Sequence, residues 1–303
     1  MCSIIRVMKK SFTLIEILVV IVVIGVLSAF ILVGMSSITN SANIAKAKAF
    51  SNSLRNSLLI NLVSEWKLDL INSPGANQTP DAWGTNTGTL GDGSTSTTFP
   101  TLSQNSSCVS GKCLSFDGGD YVSIPTAIGY SSKVTVEAWM NTSYYIDGTW
   151  KYIATGGCGD IIWGTPSDNL GRISFGGQCN NPFTPLTGNT FIANGKWHHV
   201  VGIYDKDLST NQVKIYIDGL LDGQKNATGT FTSGVITFGR GNGVTHFVGL
   251  IDEVRIYNAA MPVSKLQQNY FIGINNLYKN NGITLNEFNQ RIVELKSNIA
   301  NSD

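Results

Sequence analysis

The chain has 303 residues, 42% of them hydrophobic and 14% charged, with 32 glycines and a formal net charge of +1. That hydrophobic content excludes a disordered chain. The even charge balance excludes nucleic acid as a partner, because such a partner requires a clustered basic face.

The first predicted element begins in the stretch Lys9-Lys10-Ser11-Phe12-Thr13-Leu14-Ile15-Glu16. Ile17 to Val33 carries no charge. A membrane-spanning helix needs about 20 apolar residues, with a lower limit of about 17. Phe12 to Met35 is therefore long enough to span a bilayer, and the lysines before it predict a cytoplasmic N-terminus. Glu16 is the only charged residue between Lys10 and Lys46. A carboxylate in hydrocarbon costs several kcal/mol unless it is partnered or snorkels to the headgroups.

The segment KKSFTLIEILVVIVVIGVLSAF resembles the N-terminus of type IV pilins and pseudopilins over about the first 35 residues. The resemblance implies that a prepilin peptidase removes residues 1–11 as a leader, cutting between Ser11 and Phe12, and that Phe12 is then N-methylated. Ser11 departs from the glycine that the family carries before the cut. The resemblance further implies that Glu16 pairs with the freed amine of a neighbouring subunit, so the partners are other pilin subunits and the lipid bilayer. It places the protein in the bacterial inner (cytoplasmic) membrane, single-pass with its head outside the cytoplasm, or on the cell surface in a pilus after assembly.

Ile44, Ala47, Phe50, Leu54, Leu58 and Leu62 recur at steps of three or four, the helical period. The predicted helix thus spans residues 12–63, transmembrane over 12–35 and amphipathic beyond, about 75 Å long in all.

Asn72-Ser73-Pro74-Gly75 breaks any helix. From there to Tyr257 short alternating runs are separated by Gly, Asn and Asp, which predicts an all-β sandwich. The runs CLSFDGGDYVSIP, VTVEAWM, GKWHHVVGIYD, VKIYIDGLLDG and GLIDEVRIYNAAM resemble the laminin-G-like family, of the concanavalin A-like lectin/glucanase type. The resemblance implies a mainly β protein with a jelly-roll of two antiparallel sheets over 64–270. It also implies extracellular binding of glycan or protein ligands. In the remaining tail, 271–303, Thr284-Leu285-Asn286-Glu287 reads as a capping box. Leu285, Phe288, Ile292 and Leu295 then predict a short helix over 285–299.

Of the five cysteines, Cys2 lies in the leader and four remain. Local pairing gives Cys108–Cys113 and Cys158–Cys179, one of three connectivities, and implies an oxidising compartment. Four buried thiols are the alternative; the spacing does not suit zinc.

Catalysis is not expected. Glycosidases on this fold use clustered carboxylates, whereas Glu65, Glu137 and Glu253 are scattered. Trp197-His198-His199 reads as a core strand. Alternation puts Asp252 on the strand face of Val248, Leu250, Val254 and Ile256, so it needs a partner. That partner is either a structural calcium ion shared with Asp69 or Asp81, or backbone N–H groups. Tyr144, Tyr145, Trp150, Trp163 and Phe183 lie in the longest inserts. Such aromatics are mostly core in a sandwich, and the ligand site stays unassigned. The reading is a pilin-like surface subunit displaying a lectin-like head for adhesion or recognition. The alternatives are a minor pseudopilin of a type II secretion-like machine with a structural head, and a surface-tethered glycoside hydrolase, which the missing carboxylate cluster disfavours.

Overall fold

The computed structural model describes residues 61–300 apart from 104–107, 130–131, 144–150, 157–161, 166–170, 177–184, 228–233 and 242–245, with backbone only at 162–165 and 299–300. The chain divides into two units, Met1–Ile60 and Asn61–Asp303. The predicted N-terminal helix, and with it Ser11, Phe12 and Glu16, falls outside the described residues.

The head is built from two antiparallel sheets. The first contains β1 (Leu62–Trp66), β4 (Thr101–Ser103), β5 (Cys113–Asp117), β7 (Lys133–Asn141), β12 (Trp197–Asp205), β13 (Val213–Ile217), β14 (Leu220–Lys225) and β16 (Val248–Tyr257). Its order is β14-β13-β12-β7-β16-β5-β4, with β1 also paired to β16. The second contains β2 (Gln78–Thr79), β3 (Gly88–Leu90), β6 (Val122–Ile128), β8 (Lys151–Thr155), β9 (Ile162–Thr165), β10 (Arg172–Gly176), β11 (Leu186–Phe191) and β15 (Gly234–Phe238). Its order is β11-β10-β9-β8-β15-β6-β3-β2.

Period-2 alternation turns one apolar set from each sheet inward. Leu114, Val136, Val200, Ile215 and Ile256 from the first sheet meet Leu90, Val122, Ile124, Ile236 and Phe238 from the second in one core. Trp66 packs edge-on to Phe238 at 5.0 Å. Gly202 on β12 brings the sheets close, since a Cβ there would overlap the Phe175 ring.

A helical layer covers the outer face of the first sheet. Helix α1 (Val263–Lys279) follows β16 directly, and α2 (Leu285–Ala300) returns beside it. Trp139, Trp197, Tyr270, Ile274, Leu277 and Leu295 form a second core between helices and sheet.

The structure corrects the sequence reading in three places. Leu62 and Val63, assigned to the helix, open β1 and pair with β16. The sandwich ends at Tyr257, and residues 263–270, assigned to it, already belong to α1. At Asp252 and Glu253 a register shift interrupts the pairing of β16 with β7, and Glu253 takes a positive φ of 52°. This bulge switches the faces: Ile251, Val254 and Ile256 enter the main core, while Leu250 packs on the helical side. Asp252 therefore does not share a face with Val254 and Ile256.

The C-terminal helix lies where its period placed it. Thr284 Oγ1 accepts from the N–H of Glu287, but the Glu287 carboxylate turns to Arg291 at 2.8 Å, so only half of the capping box forms. Phe288, Ile292 and Leu295 pack inward, whereas Leu285 is exposed.

Candidate functional site

Where one sheet face enters the core, the alternate side chains must face outward. On the second sheet those outward positions carry hydroxyls. Thr89 pairs with Ser123, Ser123 with Thr237, and Thr237 with Thr155, so four hydroxyl residues stand in register across β3, β6, β15 and β8. Strands lie about 4.8 Å apart, and the row spans about 14 Å. None of these four hydroxyls makes a hydrogen bond to another described residue. Val235 and Pro125 add apolar surface beside the row, and the whole forms an open groove of about 530 Å³.

One end of the groove is charged. The Arg240 guanidinium lies 4.6 Å from the centroid of the Tyr121 ring. Asp92 also lines the groove. Its Oδ1 accepts from the N–H of Ser94 (2.9 Å) and Thr95 (2.6 Å), and its Oδ2 from Thr95 Oγ1 (2.6 Å). The Thr95 hydroxyl first, and then these backbone groups, hold its carboxyl far below the usual carboxylate range.

The groove was missed in the sequence because its residues are far apart along the chain. The available signal was alternation: Ser123 and Pro125 on β6, with Tyr121 just before it, and Val235 and Thr237 on β15 fall at every second position. Tyr144, Tyr145, Trp150 and Phe183, and the side chain of Trp163, lie outside the described residues.

Cys108 and Cys113 form the expected disulfide. Cys158 and Cys179 lie outside the described residues. The expected aspartates sort into two places. Asp252 Oδ2 accepts from the N–H of Val109 (2.9 Å) and Ser110 (3.1 Å), and Asp69 Oδ1 from that of Lys112 (2.7 Å). Both carboxylates thus pin the backbone of the disulfide loop. Asp81 is elsewhere: its Oδ1 accepts from Glu65, Trp83 and Gly84, and its Oδ2 from Asn86.

This arrangement does not fit the expected calcium site. Calcium takes six or more oxygens, and among the described residues no three His, Cys, Asp or Glu side chains gather to hold a metal. Asp252 Oδ1 is buried without a partner. Burial first, and then the Glu253 charge, push its carboxyl well above the usual range, and the partners it has are the backbone N–H groups of Val109 and Ser110. The folded pKa is raised, so the stabilisation is complete below the unfolded pKa and is lost as pH rises through the folded one. Asp252→Asn should stay within about 1 kcal/mol of wild type near pH 5 and gain on it toward pH 8 in thermal melts. Added calcium should not move either curve; a large calcium-dependent rise in wild type alone would restore the metal.

The candidates for catalysis are walled in. Glu137 is fully buried, and accepts from His199 Nε2 (3.2 Å), Tyr257 Oη (2.9 Å) and Asn269 Nδ2 (2.9 Å). Arg255 pairs with Glu65 at 2.7 Å and with Glu253. His198 Nδ1 meets Asp218 at 2.7 Å beneath α2. The Trp197-His198-His199 run is core strand throughout.

Residues 116–267 match the model of the concanavalin A-like lectin/glucanases superfamily, and residues 6–32 match that of the prokaryotic N-terminal methylation motif. No curated protein matches the chain. Similar solved structures include the binding domain of Paraclostridial mosquitocidal protein 1, with 16% identity and a TM-score of 0.54 over 72% of this chain and 53% of that one. Domain 4 of the arabinanase AbnA from Geobacillus stearothermophilus, in complex with arabinotriose, has 20% identity and a TM-score of 0.51 over 69% and 97%. The ligand-binding domain of botulinum neurotoxin serotype D, in complex with N-acetylneuraminic acid, has 14% identity and a TM-score of 0.52 over 72% and 52%. The chain spans about half the length of the toxin domains it matches. At these identities the likeness is one of fold. Among the described residues no helix is long and apolar enough to cross a membrane.

Proposed function

The chain belongs to the concanavalin A-like lectin/glucanases superfamily, and from that premise we propose a pilin-like surface subunit whose head binds glycans for adhesion or recognition. The observation that carries this reading is the in-register row of free hydroxyls beside Tyr121 and Arg240. Hydroxyls that donate and accept, beside apolar and aromatic surface, suit the alternating polar and apolar faces of a sugar. A domain from Geobacillus stearothermophilus with this fold was solved with arabinotriose. A binding role rather than hydrolysis is supported by the groove's acids: Asp92 is the one carboxylate among its described lining residues, and a glycosidase uses two.

The methylation motif supports membrane insertion, cleavage between Ser11 and Phe12, and assembly through Glu16. Loss of the leader removes Arg6, Lys9 and Lys10 and no acid, changing the net charge from +1 to −2. The mature N-terminal peptide should begin at methylated Phe12 by mass spectrometry; an intact Met1 in filament fractions would refute this.

Thr237→Trp tests the head. Thr237 is central in the row and outward-facing, so the indole should fill the groove without entering the core. On a glycan array, full-length protein in detergent should bind at least one glycan class, and the variant should lose that signal while melting normally. Equal binding by both proteins, or none by wild type, overturns the reading.

A further inference from the structure

Resting on the glycan reading above, we propose that the groove selects sugars that carry a carboxylate, with Arg240 as the group that pairs with it. A guanidinium offers two parallel N–H donors that match a carboxylate edge. Several cations of this head already have acids: Arg255 holds Glu65 and Glu253, Arg291 holds Glu287, and Lys133 holds Asp205 and Asp207. Arg240 differs. Among the described residues no carboxylate lies within ion-pair distance of it, and its recorded partner is the Tyr121 ring. Stacking orders the guanidinium plane while leaving its N–H edge for a ligand, which reduces the side-chain entropy lost on binding.

Asp92 is the possible objection, because it lines the same groove. Its oxygens are already turned to its own loop by three hydrogen bonds. It is fully exposed, so water and salt screen its charge. The hydroxyl row then serves the remaining hydroxyls of the acidic sugar or of its neighbours along the chain. The shared chemistry is the sugar carboxylate, whether it comes from a uronate or from a sialate.

The test compares each acid with its own methyl ester, which keeps the sugar and removes the charge. Full-length protein in detergent is titrated with oligogalacturonate, with sialyllactose, and with the methyl ester of each. The expected result is binding of one acid about tenfold or more tighter than its ester. The acid bound identifies the source. Arg240→Gln should erase that difference, bringing the acid-to-ester affinity ratio to about one. Asp92→Asn should change binding of the acid by less than about threefold, because its charge is already screened. Equal affinities for acid and ester, with binding still lost in Thr237→Trp, overturn the carboxylate proposal and keep the groove as a neutral-sugar site. Absence of binding by any of the four compounds overturns it as well, and if the glycan array is also blank the glycan reading falls with it.

Discussion

Replacing Glu137 by alanine should lower the melting temperature of the head by on the order of 10 °C at neutral pH. Removing one member of a buried charged network costs about 3–5 kcal/mol, and each kcal/mol moves the midpoint of a domain this size by about 2–4 °C. The carboxylate has no exposed surface. Its loss strands the buried donors of His199, Tyr257 and Asn269, which reach it from β12, β16 and α1. Arg255 is less affected, because it keeps Glu65 and Glu253. Burial pushes the Glu137 carboxyl up, but His199, Arg255 and Asn269 more than offset that and hold it at about 2. With the folded pKa depressed, the contribution is present above the ordinary value of 4.5 and is lost as pH falls toward about 2. The melting gap between wild type and Glu137→Ala should therefore be full at pH 6–7 and should shrink between pH 4.5 and 2. A pH-independent gap would mean that the alanine acts by leaving a cavity and not by unpairing donors.

Glu137 also shows where the sequence was legible and where it was not. The run VTVEAWM placed it on a strand, and the family resemblance placed that strand in a sandwich. Both readings stand in the structure. Its fourfold environment depends on Asn269, and Asn269 belongs to a helix that the family resemblance placed within the sandwich. The helical period was present in Leu266, Tyr270, Ile274 and Leu277. The helix begins with only five residues between it and the last strand, however, and its period is interrupted by Gly273 and by paired asparagines of low helix propensity. The bulge at Asp252 and Glu253 left still less signal, because a left-handed glutamate is set by tertiary packing and not by residue preference. The groove was invisible for a third reason. Thr89, Ser123, Thr155 and Thr237 meet only through cross-strand register, which no single segment encodes. Local periodicity thus revealed the strands, while the chemistry depends on which strands are neighbours.

Gly273 on α1 gives the second large effect, and its sign follows from two opposed terms. Alanine favours a helix over glycine by about 1 kcal/mol, which alone would predict stabilisation. The position forbids that gain. A Cβ at residue 273 would overlap the six-membered ring of Trp139 and lie 2.9 Å from its Nε1. The indole cannot yield. It is 2% exposed, stacks on Tyr270 at 5.8 Å and lies 5.2 Å from the His199 ring. Overpacking a filled core costs about 1–3 kcal/mol, so Gly273→Ala should be destabilising on balance. Gly273→Val adds two more methyl groups and a β-branched penalty, and should separate the helix from the sheet. The sandwich has its own core, distinct from the one beneath the helices. Damage should therefore begin in the helical layer: limited proteolysis of Gly273→Val should cut within residues 263–300 before it cuts the strands. Ile272→Ala on the exposed side of α1 is the control and should behave as wild type. Because Asn269 on the same helix reaches Glu137, the effects of Gly273→Val and Glu137→Ala should add to less than their sum, since each already undoes part of the same interface. Full additivity would instead show that the buried carboxylate and the helix contact stabilise the head independently.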